Sequence, residues 1–237
     1  MTRKRIVMGV LLLLIVAFAS YRLYISKPQT FIQEEEIIRQ LKELAPKIVV
    51  QTIEEIIQVD DKHYFVPILT EDGRQVSLYY QWEKGQWQIS YMGVGQNTSI
   101  YGWQLDPDDP RSIVFVWHFP KDTINNLDLY LIERRNAFVS DGYQYYRPKI
   151  QMKETFHIDK HYGVREVSEA FTQAIHQLDA NRYAQSSFIF DMFMYHEPPL
   201  FYAKYSYKNV LSEGQNWYGR GGSQIHYILD VTNEVLE

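Results

Sequence analysis

Residues 75–92 read QVSLYYQWEKGQWQISYM, and the fold follows from that stretch. Val76, Leu78, Tyr80 and Trp82 alternate with smaller or polar residues. After Glu83-Lys84-Gly85, Trp87, Ile89 and Tyr91 do the same. Side chains two apart share one face of a strand, so this pattern predicts an antiparallel hairpin with one greasy face.

Working outward, segments near 48–59 and 63–70 extend the hairpin into a meander, broken at Asp60-Asp61 and Glu71-Asp72-Gly73. The first of these is ambiguous, because Val49, Ile53, Ile56 and Ile57 also fit a helical stripe. Before the meander, Thr30 to Ala45 reads as an amphipathic helix with Ile37, Ile38, Leu41, Leu44 and Ala45 on one side. Thr30 with Gln33 suggests a capping box, Glu35 and Arg39 an i,i+4 pair, and Pro46 a stop.

On the far side, residues 93–111 (GVGQNTSIYGWQLDPDDPR) carry turn formers without periodicity and are expected as a boundary. Strands are then expected at Ile113–Phe119, Leu127–Glu133, around an Asp141-Gly142 turn, and at Lys149–Ile158. Val164, Val167, Ala170, Phe171, Ala174, Ile175 and Leu178 recur at helical spacing and predict a helix over 164–180. Strands at Ser187–Tyr195, Phe201–Lys208 and Ser223–Val231 close the chain, with a loop at Asn216–Gly222 before the last. The expected class is α+β: an N-terminal transmembrane helix, then antiparallel meander sheets each packed with one amphipathic helix. The expected organisation is a stub and anchor at 1–29 and a helix plus meander at 30–95. A linker at 96–111 and a second β-rich unit at 112–237 complete it.

The opening 29 residues differ in kind. Arg3, Lys4 and Arg5 precede an uncharged apolar run, and residues 6–25 would span about 30 Å as a helix, the thickness of a bilayer core. The flanking cations place the N-terminus in the cytoplasm and the rest outside. The alternative is a signal peptide cut near Ala19, after Ala17-Phe18-Ala19. Either way the remaining domain is extracytoplasmic, in the cell envelope or secreted.

The chain holds 24 basic and 29 acidic residues, five of the basic and none of the acidic lying in residues 1–29. The remainder carries 19 basic against 29 acidic side chains, a net charge of −10. That balance, without a Lys/Arg-rich run, disfavours nucleic acid as a partner. Zero cysteines exclude disulfides, thiolate metal sites and cysteine nucleophiles.

No motif specifies a reaction. No G-x-S-x-G occurs, and no serine stands three residues before a lysine. His157, Asp159 and His161 offer zinc donors, but in extended chain positions four apart lie about 13 Å from each other. Asp106-Pro107-Asp108-Asp109-Pro110 could attract calcium yet lacks an EF-hand pattern. Gly93-Val94-Gly95 lacks the third glycine and the helix of a dinucleotide site, and Gly219–Gly222 could cradle an anion. No cofactor or metal is therefore expected.

Aromatic residues make 15% of the chain. Trp82, Trp87, Tyr143, Tyr145, Tyr146, Arg147, Trp217 and Arg220 form the candidate interaction surface, since exposed Trp, Tyr and Arg anchor protein partners. The expected function is a membrane-anchored, non-catalytic interaction or accessory protein with a protein partner in the envelope. The alternatives are a glycan-acting enzyme and a small-ligand binding module.

Overall fold

The computed structural model describes residues 3–24, 27–95, 100–109, 111–133, 136–140, 143–147, 149–185, 200–208, 218–221 and 224–231. The fold is mixed α+β, built mostly of antiparallel sheets with few helices. Two compact units divide it: residues 1–94 with 218–221, and residues 95–217 with 222–237.

The first unit opens with helix α1 (Arg3–Tyr24), in which every side chain from Val7 to Tyr21 is exposed. Those 15 residues cover about 22 Å of helix axis. Among the described residues, no helix is long and apolar enough to cross a membrane.

Helix α2 (Glu34–Leu44) begins four residues later than its sequence suggests. The chain from Lys27 to Gln33 is not helical, and Gln33 caps the helix without a side-chain bond, so the Thr30–Gln33 box does not form. Glu34, Glu35 and Glu36 instead place three carboxylates in the first turn, where the helix dipole favours them. Arg39 pairs with Glu36 and Glu43 and not with Glu35. Ile37 and Leu41 are buried, worth about 1.5–3 kcal/mol each, while Ile38 stays 40% exposed.

The helix packs on a sheet ordered β1 (Val50–Ile53), β3 (His63–Thr70), β4 (Gln75–Glu83), β5 (Gln86–Gly95) and β14 (Tyr218–Gly221). Strand β2 (Ile57–Asp60) pairs with the first half of β3, and β1 with its second half. The ambiguous 48–59 segment is thus an interrupted edge strand. Lys84 and Gly85 turn β4 into β5 with φ of +53° and +80°, the left-handed pair that matches hairpin twist. Val76, Leu78, Tyr80 and Trp82 share the helix-facing side. In β5, however, Trp87 and Ile89 face the helix together with Met92 and Val94, which breaks strict alternation. Tyr91 therefore leaves the row its sequence suggests and meets the Tyr79 ring edge-on, ring centroids 5.3 Å apart.

The second unit is built on two four-stranded sheets. One is ordered β11 (Ile150–His157), β8 (Ile124–Glu133), β13 (Leu200–Tyr207) and β16 (Leu229–Asp230). The other is ordered β12 (Tyr162–Glu166), β7 (Ile113–His118), β6 (Ile100–Gln104) and β15 (Ile225–Tyr227). Their shared core joins Ile100 and Phe115 to Leu127, Leu129, Leu131, Phe156 and Ala203. The edge strands β11 and β12 are consecutive, and so are β15 and β16, so at both margins the chain passes directly from one sheet to the other. Arg165 on β12 clasps the first margin: it bonds Glu154 of β11 at 2.9 Å and lies 4.5 Å over the Phe156 ring. A hairpin of β9 (Asn136–Ser140) and β10 (Tyr143–Arg147) stands apart as a two-stranded sheet.

Three expectations are corrected here. Residues 96–111 contain β6, whose Ile100 to Trp103 are all buried, so a doubly covered strand hides among turn formers. The predicted 164–180 helix starts late. Residues 162–166 form β12, with Val164 opposite Val116, and helix α3 (Glu169–Gln185) follows. Ser168 marks its true start, accepting the Phe171 N–H on Oγ at 3.4 Å. Within the Asn216–Gly222 loop, Tyr218–Gly221 is strand β14, antiparallel to β5. The Ser187–Tyr195 strand lies outside the described residues.

Candidate functional site

Strands β7, β8, β11, β12 and β13 all start or finish at one end of the second unit. Around that end lies a cavity of about 170 Å³ lined by residues 119–124, Ile158, Asp159, His161 and Lys208. Three separate segments build it. The β7–β8 turn supplies Phe119 to Thr123, the β11–β12 turn supplies Ile158 to His161, and Lys208 follows β13.

Backbone hydrogen bonds lock these segments to each other. The Phe119 N–H donates to the His161 carbonyl at 2.6 Å, Ile158 N–H to Asn125 at 3.0 Å, and Lys208 N–H to Thr123 at 2.8 Å. Thr123 Oγ1 donates to the Pro120 carbonyl at 2.7 Å, closing a turn in which Asp122 holds φ at +57°. Aspartate tolerates that left-handed geometry better than most residues. The cavity is thus shaped before any ligand arrives.

Phe119, Ile124 and Ile158 belong to its lining and are all buried. Its rim is charged: Lys121, Asp122, Asp159 and Lys208 are exposed and His161 is half-buried. His161 also stands beside the buried His118, ring centroids 6.2 Å apart, and its ring meets Tyr162 edge-on at 4.8 Å.

The sequence singled out Asp159 and His161, and both line this cavity. Their expected partner His157 does not. Its Nδ1 pairs with Asn126 Oδ1 at 2.9 Å, and its Nε2 lies 3.7 Å from Asp159. Two acids of the 106–109 stretch hold partners within their own loop. Asp109 takes Arg111 in a two-point grip at 2.8 and 2.9 Å, and Asp106 Oδ1 accepts the Asp108 N–H.

Trp82 and Trp87 come together at 5.3 Å in the first unit, Trp82 half-buried, but Trp87 is only 5% exposed and belongs to the core. Phe31 joins them, stacked on Tyr64 at 4.0 Å and edge-on to Tyr80 and Trp87 at 5.2 Å each. Tyr143, Tyr145, Tyr146 and Arg147 lie on β10, where Tyr145 pairs with Phe138 and Arg147 with Asn136 along the backbone. Their side chains, the Arg220 side chain and Trp217 lie outside the described residues. Arg220 itself sits opposite Met92.

The Phe119–Thr123 turn is what sequence reasoning missed. Its only local signal is Pro120 followed by Lys121-Asp122, an ordinary turn sequence; the cavity arises from strand register, which no short motif records.

No protein-family model, curated protein or solved structure matches the chain.

Proposed function

We propose that the chain is a single-pass membrane protein with its N-terminus in the cytoplasm. Its acidic two-unit domain lies outside and works there by binding, as an interaction or accessory protein, without catalysis. The carrying observation is α1: from Val7 to Phe18 its large apolar side chains are 56–69% exposed on every side of the helix. A helix apolar all round needs an apolar surrounding, and lipid supplies it. The residues on either side of 7–21 extend the helix backbone to 22 residues, about 33 Å.

The exit from α1 supports the same reading. Gln29 is held to the first unit by Trp87, and five residue steps separate it from Tyr24. That tether reaches at most about 17 Å, so the first unit is kept against the membrane face. The binding reading is in keeping with the cavity lining, where the Thr123 hydroxyl donates to the Pro120 carbonyl.

Alkaline carbonate extraction of membranes carrying the full chain tests the topology, combined with protease shaving from either side. The chain is expected to stay in the pellet, with Trp82 and everything after it cleaved only from outside. Recovery of the intact chain in the soluble cytoplasmic fraction overturns the proposal. A soluble exported form starting at Ser20 favours the cleaved alternative.

A further inference from the structure

We infer that the end of the first unit's sheet carrying the β4–β5 turn rests in the headgroup layer of the bilayer that α1 enters, with the half-buried Trp82 indole as its main contact. The contact rests on the membrane anchoring proposed above and gives the anchored chain a second point of attachment.

Geometry selects this end of the sheet. His63 pairs with Gln81 and Tyr64 with Tyr80, and the Trp82 N–H donates to the Lys62 carbonyl at 2.8 Å, so the β2–β3 and β4–β5 turns lie side by side. The chain leaving α1 arrives at the same end. There Trp87 Nε1 holds the Gln29 carbonyl at 3.1 Å, and the Phe31 ring lies 4.0 Å from that of Tyr64. Gln29 is at most about 17 Å from Tyr24, where α1 stops. The β3–β4 turn at Glu71–Gly73 lies at the opposite end of β4, whose nine residues span about 27 Å. The end bearing Trp82 is therefore the one held within reach of the lipid.

Ring chemistry selects the surroundings. Indoles and phenols favour the boundary between water and acyl chains, where the ring body meets hydrocarbon and the polar edge meets headgroups. Phe31, Tyr64, Trp82 and Trp87 form one cluster here, with the Trp82 and Trp87 centroids 5.3 Å apart. Trp87 is closed off in the core, whereas Phe31, Tyr64 and Trp82 are half-buried and reach the surface. Charge decides the lipid. Lys27, Lys62 and Lys84 stand at this end against Asp60, Asp61 and Glu83, and Lys84 already pairs with Glu83 at 3.2 Å. That balance exerts no net pull toward an anionic surface, so the rings make the contact and a zwitterionic headgroup suffices.

The chain contains no cysteine, so one introduced thiol carries a nitroxide label at a single place. The full chain in phosphatidylcholine nanodiscs is labelled at Lys84→Cys, at Glu71→Cys or, within α1, at Leu12→Cys. Electron paramagnetic resonance then measures collisions with oxygen and with a water-soluble nickel chelate. The Lys84 label is expected to meet nickel about threefold less often than the Glu71 label, and oxygen more often, because the headgroup layer excludes the chelate. Adding Trp82→Ala to the Lys84→Cys chain should return its nickel access to that of the Glu71 label. The Lys84–Glu71 comparison is made with Trp82 in place and decides the matter whether or not that variant folds. Equal nickel access at Lys84 and Glu71, with the Leu12 label shielded, overturns the contact and leaves the anchor standing. A nickel-accessible Leu12 label overturns both. Protection at Lys84 that needs added phosphatidylglycerol, or that survives Trp82→Ala, overturns the contact through the rings.

Discussion

The indole N–H of Trp87 donates to the carbonyl oxygen of Gln29 at 3.1 Å, joining positions 58 residues apart. Around that bond, Phe31 is wedged against Tyr64, Tyr80 and Trp87. The segment leaving α1 is therefore fixed to the sheet by one directed bond and an aromatic cluster.

Trp87→Phe keeps a ring but deletes the donor and part of the packing. A loss of about 1–3 kcal/mol in the first unit is expected from the smaller buried ring and the missing bond. Limited proteolysis should then cut within 27–33 faster than in the parent chain. Unchanged cleavage would show that the clamp does not hold this segment.

Gly163 has no room for a side chain. A methyl group there would meet Trp117 Cζ2 at 2.5 Å and Cη2 at 2.9 Å. The indole cannot easily retreat, because its N–H bonds the Lys160 carbonyl at 3.1 Å and its ring packs on Phe156. Gly163→Ala should cost about 1–3 kcal/mol. Gly102→Ala, whose nearest neighbour is Ile113 Cγ2 at 3.6 Å, should be close to neutral. Thermal melts of the two variants check the contrast.

Tyr205 ties β13 to β6 through the core: its hydroxyl oxygen accepts the backbone N–H of fully buried Ile100 at 3.2 Å. Burial pushes the phenol well above its ordinary pKa, so it stays neutral. Tyr205→Phe strands that N–H, and chemical denaturation should report a loss of about 1–3 kcal/mol.

The Arg39 guanidinium, helped by the Gln40 amide, holds the Glu36 carboxyl down at about 2. A carboxyl lowered in the folded state stabilises fully above its unfolded pKa, near 4.5. That contribution fades as pH falls from there toward about 2. The pair is exposed, so the effect is small and screened by salt. In low salt, the difference in urea midpoint between the parent and Arg39→Ala should shrink between pH 5 and pH 2.5. A constant difference would assign Arg39 a packing role instead.

The meander was legible because its signals are local. Gly73 and Gly85 turn the chain at φ of +78° and +80°, and the Val76–Trp82 row repeats every second residue. Ile37 and Leu41 likewise announced α2. What stayed hidden depends on partners distant in sequence. Ile100–Trp103 is covered on both faces and shows no alternation, whereas Val164 fits a helical stripe that continues past Ser168 and only its pairing with Val116 makes it strand. The cavity is similar. Asp159 and His161 drew notice as a possible metal pair, but what they line is decided by the turn carrying Lys121 and Asp122, some 40 residues earlier. Trp87 misled for the opposite reason, as it looks like a partner anchor in sequence yet is interior.

Strand β14 places Tyr218 opposite Val94 and Gly221 opposite Tyr91, so the sheet begun by residues 50–95 is finished by residues synthesised much later. A nascent chain emerging in order would wait, with the margin of β5 bare, until more than 120 further residues had appeared. Premature stop codons anywhere before position 218 should thus harm the N-terminal sheet, and a chaperone guarding that margin until those residues emerge would have a defined place to act.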